Sequence, residues 1–314
     1  MATYTAHSAI GQREDLTDVI YDISPTETPF MASIGKTKAT AVFHEFQTDT
    51  LAAATTANAA VEGADASDAT LSPTVRLGNY TQILQKTIKV SGTLDTVNKA
   101  GRKSEKAYQL AKASQEIKRD LETVLLSNQG RSAGDGSTAR KMASLLSWIK
   151  TNSSAQTNGG DPTTIGVSTR TDGNTRTFTE ALLKEVVAEV FVSGGSPKVL
   201  MVGATGKQKV SSFTGIAETR FNVTGNAPST IIGAADFYVS DFGNLAVVPN
   251  RFMRTRDALI LDPEYAAIAY LRPFQTNELA KAGDADKTQI LVECTLEVKN
   301  EAAHGIVADL NMSL

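Results

Sequence analysis

Gly130-Arg131-Ser132-Ala133-Gly134 has the G-x-S-x-G spacing of a nucleophile elbow. That chemistry needs a strand before the serine and a helix after it, so that the hydroxyl stands exposed on a strained turn. Here the pattern predicts a helix before and a Gly-rich turn after. His7, His44 and His304 are the histidines available as a base, and none has a distinctive context. Gly203-Ala204-Thr205-Gly206-Lys207 sits between an expected strand and an expected helix, the setting of a phosphate loop. The spacing fails: the motif would require a glycine where Met201 stands and a hydroxyl where Gln208 stands. Asp241-Phe242-Gly243 matches the kinase magnesium motif by letter, without the accompanying catalytic or Gly-rich loops. Asp284 and Asp286 lack the remaining ligands of a calcium loop. Three histidines and one cysteine give no zinc constellation. The expectation is therefore a protein that is not an enzyme, with no catalytic residues, no cofactor and no metal.

Lys99, Arg102, Lys103, Lys106, Lys112, Lys118 and Arg119 form a basic run, but Glu105, Glu116, Asp120 and Glu122 are interleaved with it. Glu116–Arg119 and Lys118–Glu122 have the spacing of helix ion pairs. A solvated helix face or a subunit contact is favoured over specific DNA recognition. The net charge of -3 gives no general attraction to nucleic acid.

These residues lie on the element that organises the chain. Leu110, Ala113, Ile117, Leu121, Val124 and Leu125 recur at steps of three and four, which predicts a long helix over 104–127. Ser104 is its expected N-cap and Gly130 its expected stop. A short helix is expected over 94–100. A half-apolar rod needs a broad layer to lie against, and strands expected over 258–261, 266–271 and 289–298 supply one.

Before the rod, residues 1–35 read as an arm, with a short amphipathic helix over 14–23. Phe30, Met31 and Ile34 in this arm must dock on another part of the chain or on a neighbouring copy. Strand alternation is expected over 41–48 and 75–90. The intervening stretch carries Glu62, Asp65 and Asp68, and no Lys or Arg occurs from Ala39 to Val75. It reads either as a projecting hairpin whose acidic tip rests on a basic surface, or as a solvated loop. After the rod, a capping box at Thr177 and Glu180 predicts a helix over 178–191. Further elements are expected at 198–202, 205–213, 237–240 and 245–248, an α/β unit.

The 314 residues suffice for about two domains, and 41% hydrophobic residues suffice for a core. The single cysteine, Cys294, excludes an internal disulfide framework and fits a reducing compartment. No apolar run approaches a membrane span, and the first 30 residues lack a signal-peptide core, so no membrane association is expected.

The order of parts resembles the major capsid proteins of tailed bacteriophages, with the Hong Kong 97-like fold. Supporting stretches are Ile23-Ser24-Pro25-Thr26-Glu27-Thr28-Pro29-Phe30, Glu45-Phe46-Gln47-Thr48-Asp49 and Ala100-Gly101-Arg102-Lys103-Ser104-Glu105. Trp148-Ile149-Lys150-Thr151-Asn152, Asp241-Phe242-Gly243, Pro249-Asn250-Arg251-Phe252-Met253, Leu271-Arg272-Pro273-Phe274 and Lys281-Ala282-Gly283-Asp284 follow in order. The resemblance implies an α+β chain: N-arm 1–35, E-loop hairpin 36–90, peripheral domain 91–177 with the spine helix, axial domain 178–256, and returning peripheral strands 257–314. It implies hexamers and pentamers of this chain in an icosahedral shell around double-stranded DNA, bound without sequence-specific contact. Portal, decoration and separate scaffold proteins would be its partners. The chain would sit in the virion capsid, and in the host cytoplasm during assembly. The expected subunit-interface residues are Phe30, Glu45, Asp49, Glu62, Asp65, Asp68, Arg102, Lys103 and Arg272. A nanocompartment shell of the same fold is the nearest alternative. An α/β enzyme or binding domain, and a tail or adhesin component, are alternatives of other classes.

Overall fold

The computed structural model describes residues 26–63, 65, 68–69, 71–97, 101–213, 236–281 and 283–312. The arm helix expected over 14–23 lies outside the described residues. Two sheets and one long helix organise the rest.

The first sheet has four strands in the order β1 (Gly35–Lys38), β11 (Ala266–Leu279), β12 (Ala285–Val298) and β4 (Gln82–Ser91). β1 runs parallel to β11, while β12 is antiparallel to both β11 and β4. Both late strands are longer than the apolar pattern suggested. β11 continues past Leu271 through register shifts between Tyr270 and Gln275. Pro273 lies there, where a residue without an N–H costs the ladder least. The expected strand over 75–90 is divided into β3 (Val75–Tyr80) and β4. Thr81 makes the break: its N–H bonds the Val42 carbonyl and its hydroxyl bonds Glu293.

Helix α3 (Glu105–Leu125) lies on this sheet, along β4 and β12. The Ser104 hydroxyl accepts the Ala107 N–H, so the cap is the expected one. Ala113, Ile117, Leu121 and Leu125 are buried in one core with Val292, Cys294, Leu296 and Val298. Each buried leucine-sized side chain contributes roughly 1.5–3 kcal/mol, so docking holds the rod more than helix propensity does. Gly130 does not end the helix, which is capped at Leu126. A Cβ on Gly130 would meet the Val167 carbonyl oxygen at 2.1 Å, so the glycine admits a neighbouring loop. The preceding helix, α2, covers Gly92–Thr96 and gives way to extended backbone at Val97, while 98–100 of the expected helix lie outside the described residues.

The second sheet has six strands in the order β5 (Ser153–Ser154), β13 (Gly305–Val307), β10 (Ala258–Leu261), β7 (Val199–Val202), β9 (Gly243–Pro249) and β8 (Phe237–Ser240). The strand 258–261 therefore does not join the layer under the long helix. All four of its residues are buried, which fits a central strand covered on both faces. Leu259 and Leu261 enter the core of the long helix, and Ala258 and Ile260 enter a second core with α4 (Glu180–Val192). The sheet thus separates two cores and belongs to both. α4 is capped backbone-first at Thr179, and no capping box forms. Thr177 pairs with Asn311 in a short strand bridge, while Glu180 turns to Lys184 and to the Tyr238 hydroxyl. α5 (Ala204–Ser211) packs beside β7 and β9.

Candidate assembly surfaces

Strand β2 (Phe43–Thr48) pairs with β3 from Phe43 opposite Tyr80 to Thr48 opposite Val75, forming a hairpin outside both main sheets. Its root is pinned. Asn79 is fully buried; its amide nitrogen bonds the Leu296 carbonyl at 2.9 Å, and its amide oxygen accepts the Ala143 N–H at 2.8 Å. Glu297 accepts the Thr37 hydroxyl at 2.8 Å and faces His44 Nε2 at 3.2 Å. Phe46 rests on Trp148 with ring centres 5.7 Å apart. The Arg131 guanidinium lies over the Phe43 ring and donates to the Gly78 carbonyl. Gly78 is required here, because a Cβ would approach the Phe43 ring to 2.8 Å.

Beyond the root, the large apolar side chains of the described loop residues stand exposed. Leu51, Val61 and Leu71 are 98%, 79% and 88% exposed. Asp49, Glu62, Asp65 and Asp68 are all exposed in the same stretch. Glu45 points outward and pairs with Arg76 across the hairpin at 3.0 Å. Five of the sequence-predicted interface residues therefore lie on one projecting element.

Three of the other four are engaged at home. Phe30 is fully buried in the long-helix core, with Met31 and Ile34 beside it. It is a core residue, not an interface residue: the arm segment α1 (Pro29–Ser33) docks on its own chain. The anchor is Glu122, whose carboxylate accepts the N–H groups of Phe30 and Met31 and the Asn250 amide. Burial pushes its carboxyl pKa upward, and these three hydrogen bonds oppose the shift. The expected Lys118–Glu122 pair does not form, since Glu122 faces inward. Glu116 likewise pairs with Lys86 on β4 instead of with Arg119. Arg102 pairs with Glu105 and covers the Tyr108 ring, and Lys103 is exposed. Arg272 joins Arg140 on Glu293: each holds one carboxylate oxygen at 2.7 Å, and Thr81 adds a hydroxyl at 2.9 Å.

The motifs that suggested chemistry are structural. Ser132 sits in a turn bridged to Lys141. Lys207 pairs with Asp236 and donates to the Val247 carbonyl at 2.7 Å. Asp241-Phe242-Gly243 spans the turn of a β8–β9 hairpin. Asp286 pairs with Lys281 at 2.6 Å. Among the described residues, no group of three or more His, Cys, Asp or Glu could hold a metal, and no helix is long and apolar enough to cross a membrane.

A family model described as SU10 major capsid protein matches residues 2–311. The chain belongs to this family. It is a major capsid protein, and its family relatives are structural proteins. The major capsid protein of Escherichia phage Phieco32 is 28% identical to it, over 97% of this chain and 96% of that one. Among solved structures, the capsid of cyanophage A-1(L) aligns with TM-score 0.67 at 11% identity, covering 98% of each chain. The capsid of a native GTA particle aligns at 0.66 with 14% identity, again over 98% of each chain. The holo-SrpI encapsulin of Synechococcus elongatus PCC 7942 aligns at 0.57 with 10% identity, over 97% of this chain and 94% of that one. These likenesses establish the fold.

In this capsid protein the residues missed by sequence reasoning are the buried polar anchors. Glu122 looked like a member of a charged helix face, and Glu293, with Glu297, implied a strand face either solvated or paired. The available signal was strand parity: Glu293, Thr295 and Glu297 share one face of β12, and such a row needs partners if it is covered.

Proposed function

We propose that this capsid protein assembles as hexamers and pentamers into an icosahedral shell enclosing the double-stranded DNA of a tailed phage. The observation that carries this is the contrast within one hairpin. A root fixed by buried hydrogen bonds holds out a loop whose large apolar and acidic side chains stand exposed. An isolated subunit gains nothing from such a loop; a neighbour covers it. We read 1–35 as arm, 36–90 as hairpin, and the long-helix layer and the six-stranded layer as peripheral and axial units. In that reading the axial unit extends to include 258–261 and 305–307. The slightly acidic chain encloses DNA without gripping it. Assembly takes place in the host cytoplasm, with scaffold, portal and decoration proteins as partners.

Sedimentation velocity of the purified chain, with negative-stain microscopy of the same sample, tests this. Closed shells support it, and capsomers without shells place the missing information in a separate scaffold. A stable monomer with 36–90 protected from protease overturns it. The likeness to an encapsulin supports a second reading, a nanocompartment shell. Shells that enclose a protein cargo and never nucleic acid would favour that reading.

A further inference from the structure

Helix α3 sorts its charges around its axis. Glu116 and Asp120, on the flank beside β4, both hold Lys86, at 3.0 and 3.2 Å. Glu105 pairs with Arg102, and Glu122 is buried against the arm. Every carboxylate of the helix is therefore engaged within the chain. The lysines are treated differently. Lys106 reaches Glu278 on β11, but Lys112 and Lys118 are exposed, and so is Lys103 just before the helix. Lys36 and Lys38 on the edge strand β1 are exposed as well, and Lys36 lies across an open groove from Lys118. Their register partners Ile268 and Tyr270 pack toward the long helix, which puts both lysines on the helix face of the sheet. Among the described residues, none of these five lysines forms an ion pair. A chain of net charge -3 thus gathers unpaired cations on one face.

We infer that this face of the long-helix layer is the inner wall of the shell, where Lys36, Lys38, Lys103, Lys112 and Lys118 contact the phosphates of the enclosed duplex without reading its sequence. The inference rests on the proposed DNA-enclosing shell and adds which surface of the subunit meets the DNA. Three observations support it. The first is charge: the face is of one sign, and its counter-charge does not come from the same helix. The second is shape. The 21 residues of the helix form a ridge of about 32 Å, close to one turn of duplex at about 34 Å. The third is chemistry. Ala107, Ala111 and Gln115 stand exposed among the lysines, and no large apolar side chain of α3 is exposed. A protein partner is anchored by bulky side chains in desolvated pockets, and base readout needs bidentate donors set in a groove. The ridge offers neither. Flexible point charges on a small, neutral crest suit a uniform polyanion, held by release of its counterions. With few contacts per subunit the hold is shallow and salt-sensitive, so the DNA stays free to leave.

Lysine acetylation, read by mass spectrometry on particles with packaged DNA and on empty particles of the same chain, tests this. The five lysines are expected to be modified several-fold less when DNA is present and to recover in empty particles. Lys89 and Lys287, in register with each other on the opposite face of the sheet, are modified equally in both. Fluorescence anisotropy of the unassembled subunit with a mixed-sequence duplex gives a second readout. Five phosphate contacts predict that affinity falls about 500-fold between roughly 50 and 200 mM salt. Lys103→Gln, Lys112→Gln and Lys118→Gln together reduce that fall to about tenfold, whereas Lys89→Gln with Lys287→Gln leaves it unchanged. All are exposed positions, and the acetylation pattern is read on the unaltered chain. Protection of Lys89 and Lys287 in place of the five turns the subunit over and overturns the proposal. Protection of the five that persists in empty particles assigns them to a contact between copies and overturns it too, as does an unchanged salt dependence in the triple variant. These results leave the DNA-enclosing shell standing. Particles that never hold nucleic acid overturn the reading beneath as well.

Discussion

Glu122 and Phe30, separated by 92 residues, meet in the interior, where the Glu122 carboxylate accepts the Phe30 backbone N–H at 2.7 Å. The same carboxylate takes the Met31 N–H at 2.9 Å and the Asn250 amide at 2.7 Å. One side chain of the long helix thus ties the arm to the end of β9. Glu122→Ala strands two backbone donors and one amide. Each such orphan costs roughly 1–3 kcal/mol when buried, and partial access of water brings the expected total to about 3 kcal/mol. The thermal midpoint should fall, and amide exchange at Phe30 and Met31 should accelerate before that of the helix.

Phe30→Ala separates a core role from an interface role. A fully buried phenylalanine removed from a packed core costs about 3–5 kcal/mol. That loss should be visible in chemical denaturation of the unassembled subunit. An unassembled subunit of unchanged stability would return Phe30 to the interface.

Glu293 lies between two arginines of unequal exposure, Arg140 and the more open Arg272. Glu293→Ala leaves both cations unpaired, but each can turn partly toward water. The expected cost is therefore about 2 kcal/mol, below that of a fully buried pair. Arg140→Ala should cost less, and Arg272→Ala less than about 1 kcal/mol. The order of the three denaturation midpoints is the check.

His304 gives the subunit an acid-sensitive window. It is fully buried, and among the described residues neither ring nitrogen has an aligned hydrogen-bond partner. Burial pushes its pKa down from 6.5 to about 4, with the Tyr265 backbone opposing in part. Between those values the unfolded chain binds a proton that the folded chain refuses. Stability from this group is therefore complete above pH 6.5, falls as pH drops toward 4, and levels below that. The span is worth about 3 kcal/mol. His304→Phe should flatten this component, measured as denaturation midpoints across the window.

The long helix was legible because its apolar steps and its Ser104 cap are local signals. The four-stranded sheet was legible as strands but not as an order, since nothing local in Gly35–Lys38 announces a partner at Ala267. The strand 258–261 was placed in the wrong layer. A short run buried on both faces reads the same in any central position, and only its partners Val199–Val202 and Gly305–Val307 decide. The acidic loop was legible from composition, because the absence of lysine and arginine over so long a stretch is visible without any structure. Phe30 was placed at an interface because an arm with no core of its own looks unpartnered. Its partner in the same chain, Glu122, lies 92 residues along the sequence.

The weave of the first sheet sets a timetable for synthesis. Gly35 is in register with Ala267, and Lys89 with Lys287. β1 and β4 leave the ribosome well before β11 and β12, the strands that separate and satisfy them. Until then both early strands present unpaired edges, and closure awaits contacts of high sequence separation, which form slowly. A chain that stops short of Ala285 lacks β12, so its arm strand, its hairpin root and its long helix share no common layer. The first sheet is in this way a lock with two early parts and two late ones, and no early part can close it alone.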